Sequence, residues 1–125
     1  MLLLLYLYRV EDVFNEIDDF AQRLPLAKES TQLGKKTYEV GKKVFFLINR
    51  EKTAVLVRVT PKKEAIYLAK TGFFKPDFKD NGSAWLGIDL SIRKDLRLLK
   101  ELVIDSFHSV ANKKAREKLY TQYPI

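Results

Sequence analysis

The stretch from residue 35 to residue 60, "KKTYEVGKKVFFLINREKTAVLVRVT", constrains the fold more than any other part of the chain. It holds three short runs rich in β-branched and aromatic residues: "KKTYEV", "KKVFFLINR" and "TAVLVRVT". Gly41 separates the first run from the second, and "NREK" separates the second from the third. These short spacings predict consecutive antiparallel hairpins. In the third run Val55, Val57 and Val59 share one face, while Ala54, Leu56 and Arg58 share the other. The expectation is a sheet half covered by helices.

The flanking segments supply those helices. Leu3, Tyr6/Leu7, Val10, Val13/Phe14, Ile17, Phe20/Ala21 and Leu24 recur at helical spacing until Pro25 closes the run. The outer face of this helix is acidic from Glu11 to Asp19, and a loop is expected after it. Leu2, Leu5 and Tyr8 fall outside the apolar stripe, where a dimer contact or cover by the last helix would account for them. "TPKKEAIYLAKTG" reads as a short helix with Thr60 at its N-cap, Pro61 at its first position and Gly72 as its terminator. Next come Phe73, Phe74 and Phe78, assigned to the core, and then "DNGS", a turn over residues 80–83. In "AWLGIDL" Trp85, Gly87 and Asp89 alternate with Leu86, Ile88 and Leu90, the pattern of a hairpin arm returning to the sheet. The last helix is expected to open near Ser91 and to place Ile92, Leu96, Leu99, Val103, Phe107 and Val110 on one face. Lys113, Lys114, Arg116 and Lys118 then crowd its C-terminal end, where positive charge suits the dipole. This order gives an α+β fold, an antiparallel sheet with the N- and C-terminal helices packed on one face, in a single domain over residues 1–125.

Composition narrows the chemistry. With no cysteine and only His108, the chain offers neither a thiolate metal site nor a histidine cluster, so no cofactor is expected. The apolar run at residues 2–8 has no basic segment before it and is far short of the roughly 20 residues of a membrane helix. A cytoplasmic protein with no membrane partner is the expectation. The net charge is +7 and unevenly placed: residues 1–27 carry 2 basic and 5 acidic side chains, residues 28–80 carry 13 and 6, and residues 81–125 carry 8 and 5. A basic excess in the middle of the chain favours a polyanion as partner.

The pieces "AQRLPLAKEST", "GKKTYEVGKKVFFLI", "LVRVTPKKEAIYL", "FFKPDFKDNGSAWLGIDL" and "LLKELVIDSFHSVANKK", spread over residues 21–114, resemble in order and spacing the MmcQ/YjbR family of small bacterial proteins. In that resemblance Lys43 matches the lysine of a strand reading "gKvFa", and Arg58 stands where a lysine follows a strand valine. Trp85 matches the family tryptophan, and Ser106 with Phe107 matches a Ser-Tyr pair. Phe107 replaces the tyrosine, and the leucine-rich start is longer than the family pattern. The resemblance implies a frataxin-like (CyaY-like) α+β fold, likened to a "double-wing" DNA-binding domain, and with it a DNA-binding role.

Three function classes follow. For DNA binding, Lys35, Lys36, Lys42, Lys43, Arg50, Lys52, Arg58, Lys75 and Lys79 sit at or beside predicted turns and strand ends, where long cationic side chains reach phosphates without cost to the core. Lysines at exposed turns and edges also serve solubility. An alternative is a frataxin-like interaction or metal-handling module using the acidic face of the first helix, with side chains one helical turn apart at Asp12 and Glu16, or at Glu11, Asn15 and Asp19. Catalysis is not expected. Asp105, Ser106 and His108 project in different directions from one helix, at about 100° per residue, and no Gly-rich phosphate loop is present. The oligomeric state stays open between monomer and weak dimer.

Overall fold

The computed structural model describes residues 9–32, 35–49, 51–77 and 84–122. The start of the leucine-rich helix stripe, Phe78, the turn at 80–83, and Arg50 and Lys79 lie outside the described residues.

Helix α1, Val10–Gln22, is built by its apolar stripe: Val13, Phe14, Ile17 and Ala21 are buried. The Asp12 carboxylate accepts from the Arg9 backbone N–H at 3.1 Å, and Glu11 and Asp12 place negative charge in the first turn, where the dipole favours it. The loop expected after the helix is in part a strand. β1, Lys28–Gln32, is followed by β2, Lys35–Val40, β3, Lys43–Ile48, and β4, Ala54–Val59. Helix α2, Pro61–Leu68, starts as expected, with the Thr60 hydroxyl accepting from Lys63 N–H at 3.2 Å and Pro61 at the first position. It ends on Ala69, three residues before Gly72, which takes a φ of +94° in the turn leading to β5, Phe73–Phe74. β6 spans Ala84–Asp89.

All pairings are antiparallel, in the order β1-β2-β3-β4-β6-β5. Tyr38, Val40, Phe46, Val55, Val57, Leu86 and Ile88 face the helices and build the main core with α1 and the C-terminal helices. Val44, Leu47, Leu56 and Trp85 form a smaller cluster on the other face, so the alternation read in β4 and β6 holds. Phe73 is buried, whereas Phe74 departs from its core assignment and stays 39 % exposed. Its ring lies against the Gly87 backbone, where any Cβ would collide with it.

The C-terminal region differs from expectation in two ways. Ser91 does not cap a helix: its N–H and its hydroxyl both donate to the Asp89 carboxylate, at 2.9 and 2.6 Å. Asp95 is the N-cap, accepting from Arg97 and Leu98 N–H, so α3 spans Leu96–Val110 and Ile92 is left outside it, 52 % exposed. The helix then breaks at Ala111 and restarts as α4, Lys113–Gln122, with the Asn112 side chain accepting from Ala115 N–H at 2.9 Å. Lys113, Lys114 and Arg116 therefore occupy the first turn of a new helix instead of the last turn of an old one.

Candidate nucleic-acid interface

Between β2 and β3 the sheet carries a bulge, and the residues around it hold one end of the sheet together. Tyr38 pairs with Phe46 while Glu39 pairs with Val44, so Phe45 is an additional residue on β3. Two consecutive phenylalanines therefore enter the same core: Phe46 meets Tyr38 at 5.8 Å between ring centroids, and Phe45 meets Phe107 edge-on at 5.4 Å. The β3–β4 ladder begins only at Phe46 and Val57. Beyond it the Ser106 hydroxyl, fully buried, stands between the strands, donating to the Phe45 carbonyl at 2.6 Å and accepting from Arg58 N–H at 2.8 Å. The Arg58 side chain closes the same end. Its Nε donates to the Val44 carbonyl at 2.6 Å, and its guanidinium carbon lies 4.8 Å from the Trp85 ring centroid. The residues that carried the family resemblance in separate pieces, Lys43, Arg58, Trp85, Ser106 and Phe107, thus meet at one end of the sheet.

That end also bears the β2–β3 turn. Val40 pairs with Lys43, leaving only Gly41 and Lys42 between them, with φ of +58° and +68°. Positive φ at both central positions is the conformation that matches the twist of a two-residue hairpin, and it is rare for a lysine. Lys42 and Lys43 are exposed, and neither enters an ion pair among the described residues. Two cations that the sequence reading left out adjoin them. Lys28, opposite Glu39, lies on the neighbouring strand, and exposed Lys62 lies in the first turn of α2 just beyond the end of β4. The first could be found only by recognising β1 as a strand.

The remaining lysines are placed elsewhere. At the opposite end of the sheet, Lys36 Nζ lies 3.6 Å from Asp18 Oδ2 and 3.6 Å from Glu29 Oε1, and 5.4 Å from the Tyr38 ring centroid. Tyr38 donates to Asp18 at 2.6 Å. Burial, reinforced by that hydrogen bond, pushes the Tyr38 phenol up to about 12, and its contacts with Tyr38, Asp18 and Glu29 raise the Lys36 ammonium above its ordinary value despite partial burial. Lys52 folds back with its Nζ 5.9 Å from the Phe14 ring centroid, beside a cleft of about 410 Å³ between the start of α1 and the β3–β4 turn. Lys35 is half-buried at the start of β2, and Lys75 is exposed just past β5. The seven expected contact residues among those described therefore do not form one surface. Lys42 and Lys43 converge with Arg58 as packing, Lys35, Lys36 and Lys52 lie at the other end, and Lys75 lies near the sheet edge.

Four of the five carboxylates of α1 have partners in the protein. Asp12 caps the helix, Asp18 holds Tyr38 and Lys36, Asp19 lies 3.1 Å from Arg23, and Glu16 lies 3.6 Å from Lys100 on α3. Among the described residues no group of three or more Asp, Glu, His or Cys side chains is placed to hold a metal ion. Asp105 pairs with Lys63 at 2.8 Å, Ser106 serves the sheet, and His108 meets Tyr120 edge-on, with 5.7 Å between centroids. No helix among the described residues is long and apolar enough to cross a membrane.

The class of fold defined here is an α+β sandwich of a six-stranded antiparallel sheet with its N- and C-terminal helices on one face. It is similar to the crystal structure of Deinococcus radiodurans protein DR2400, whose domain is DUF419, the MmcQ/YjbR family to which the sequence pieces pointed. The two match with a TM-score of 0.66 and 17 % identity, over 90 % of this chain and 88 % of that one. No protein-family model matches the chain, and no curated protein does.

Proposed function

We propose that the chain is a non-enzymatic DNA-binding protein that holds the phosphate backbone at the end of its sheet formed by the Gly41–Lys42 hairpin. The observation that carries this reading is the contrast in how the lysines are used. Lys42 and Lys43 project from a short, conformationally defined turn with no acidic partner among the described residues, while Lys36 and Lys52 lie against the protein itself. Free cations on a turn reach phosphates at little cost in entropy, because the backbone that presents them is already ordered. No Asn, Gln or Arg in the hairpin turn offers a paired contact to base edges, so the binding is phosphate-directed and tolerant of sequence. The fold shared with DR2400 supports the architecture and carries no ligand with it.

Titration of a labelled duplex at 50 and 200 mM salt tests the reading. Affinity should fall steeply with salt, and Lys42→Gln with Lys43→Gln should reduce the slope of log affinity against log salt by about 2. Binding that is absent at low salt, or indifferent to salt, overturns it.

A further inference from the structure

Helix α4 brings four more cations, Lys113, Lys114, Arg116 and Lys118, to the same end of the molecule. It begins directly after the part of α3 that places Ser106 and Phe107 against Phe45 and Arg58. It finishes where Gln122 donates to the Arg23 carbonyl at 3.1 Å, at the C-terminal end of α1. Its 10 residues, about 15 Å, thus bridge the ends of α1 and α3, with Ala115 and Leu119 as the buried side.

The direction of its flanks follows from that anchor. At about 100° per residue, Arg116 and Tyr120 lie on one flank of the Ala115–Leu119 line, and Lys114 and Lys118 on the other. Tyr120 packs on His108, which projects from α3 on the side away from the buried Leu99, Val103 and Phe107. The Lys114–Lys118 flank is therefore turned the opposite way, toward the end of the sheet that carries the Gly41–Lys42 hairpin.

The charges are also placed against local stability. Lys113, Lys114 and Arg116 stand in the first turn of α4 with no acidic residue there, where the helix dipole disfavours positive charge. None of the four cations enters an ion pair among the described residues. Glu117 is the single carboxylate of α4 beside these four cations, so an external polyanion would offset the remaining charge.

We propose that α4 is the second arm of the DNA-binding surface, so that one duplex is held by Lys42 and Lys43 of the hairpin and by Lys114 and Lys118 of α4. This rests on the DNA-binding reading above. The two arms belong to different layers of the fold, the sheet and the helices, and together they contact about twice as many phosphates as the hairpin alone.

The test compares three double variants of the full chain on one 20-base-pair duplex across a salt series. They are Lys42→Gln with Lys43→Gln, Lys114→Gln with Lys118→Gln, and a control, Lys94→Gln with Arg97→Gln, at the start of α3 at the opposite end of the sheet. The hairpin and α4 variants should each lower the salt slope by about 2, their combination by about 4, and the control should leave it unchanged. The α4 variant should melt no lower than the parent, because Lys114→Gln removes a charge that the dipole disfavours. If the hairpin variant lowers the slope and the α4 variant does not, the second arm is refuted and the hairpin reading stands. If neither lowers it, or the control lowers it equally, both readings fall.

Discussion

At one end of the sheet Lys36 rests between Asp18 and Glu29 with the Tyr38 phenol beside it, and at the other Lys42 and Lys43 project from a two-residue turn with no acidic neighbour bonded to them. Both ends began as lysine pairs next to hairpin turns. They differ because α1 passes over the first and offers the Asp18 carboxylate to it, whereas the Arg58 side chain closes the second. A lysine whose ammonium already has acidic partners must break those contacts to meet a phosphate, and a lysine with none gives up only water. Pairing on the protein, more than position in a turn, separates a structural cation from one available for binding.

The largest effect is expected at the free end, where Ser106 holds the split between β3 and β4. Ser106→Ala leaves the buried Phe45 carbonyl and the Arg58 N–H without that partner and should cost about 3 kcal/mol in urea unfolding. A loss below about 1 kcal/mol would show that the strands close on their own. At the paired end, Tyr38→Phe removes the bond to Asp18 and should cost about 1.5 kcal/mol.

The same substitution gives a signature in pH. Tyr38 is raised from 10.0 to about 12 in the folded protein, so its contribution is complete below pH 10 and is lost as the pH rises through about 12. The parent should lose stability more steeply than Tyr38→Phe over that window, as read from melting temperature against pH. Equal slopes would mean that burial and the Asp18 bond together do not raise the phenol. The smallest effect is expected at Lys42, whose φ of +68° is strained for a side chain with a Cβ. Lys42→Gly should stabilise the fold by about 0.5 kcal/mol while weakening duplex binding. A variant less stable than the parent would contradict the strain, and one that binds equally well would remove Lys42 from the interface.

Local signals in the chain were legible in the central strands and at the start of α2. The alternation in β4 and β6 placed Val55, Val57, Leu86 and Ile88 on the helical face, and Thr60 with Pro61 set the start of α2. β1 escaped notice because "KESTQ" contains no apolar residue, and it becomes a strand through its pairing with β2. The break between α3 and α4 had a local mark, Asn112, whose side chain caps the second helix, yet the apolar spacing continued across it and masked it. Ser91 is occupied by its bonds to Asp89, and Asp95, which was not singled out in the sequence, caps α3 instead.

By itself the sequence determined the periodicities, the turn at Gly41 and the basic middle of the chain, since each depends on residues a few positions apart. Folding alone brings Asp18 to Lys36 across 18 residues and Ser106 into the gap at Phe45 across 61. Hydrogen bonds and ion pairs act over a few ångströms, so which charges are spent and which stay available depends on the neighbours that folding brings together.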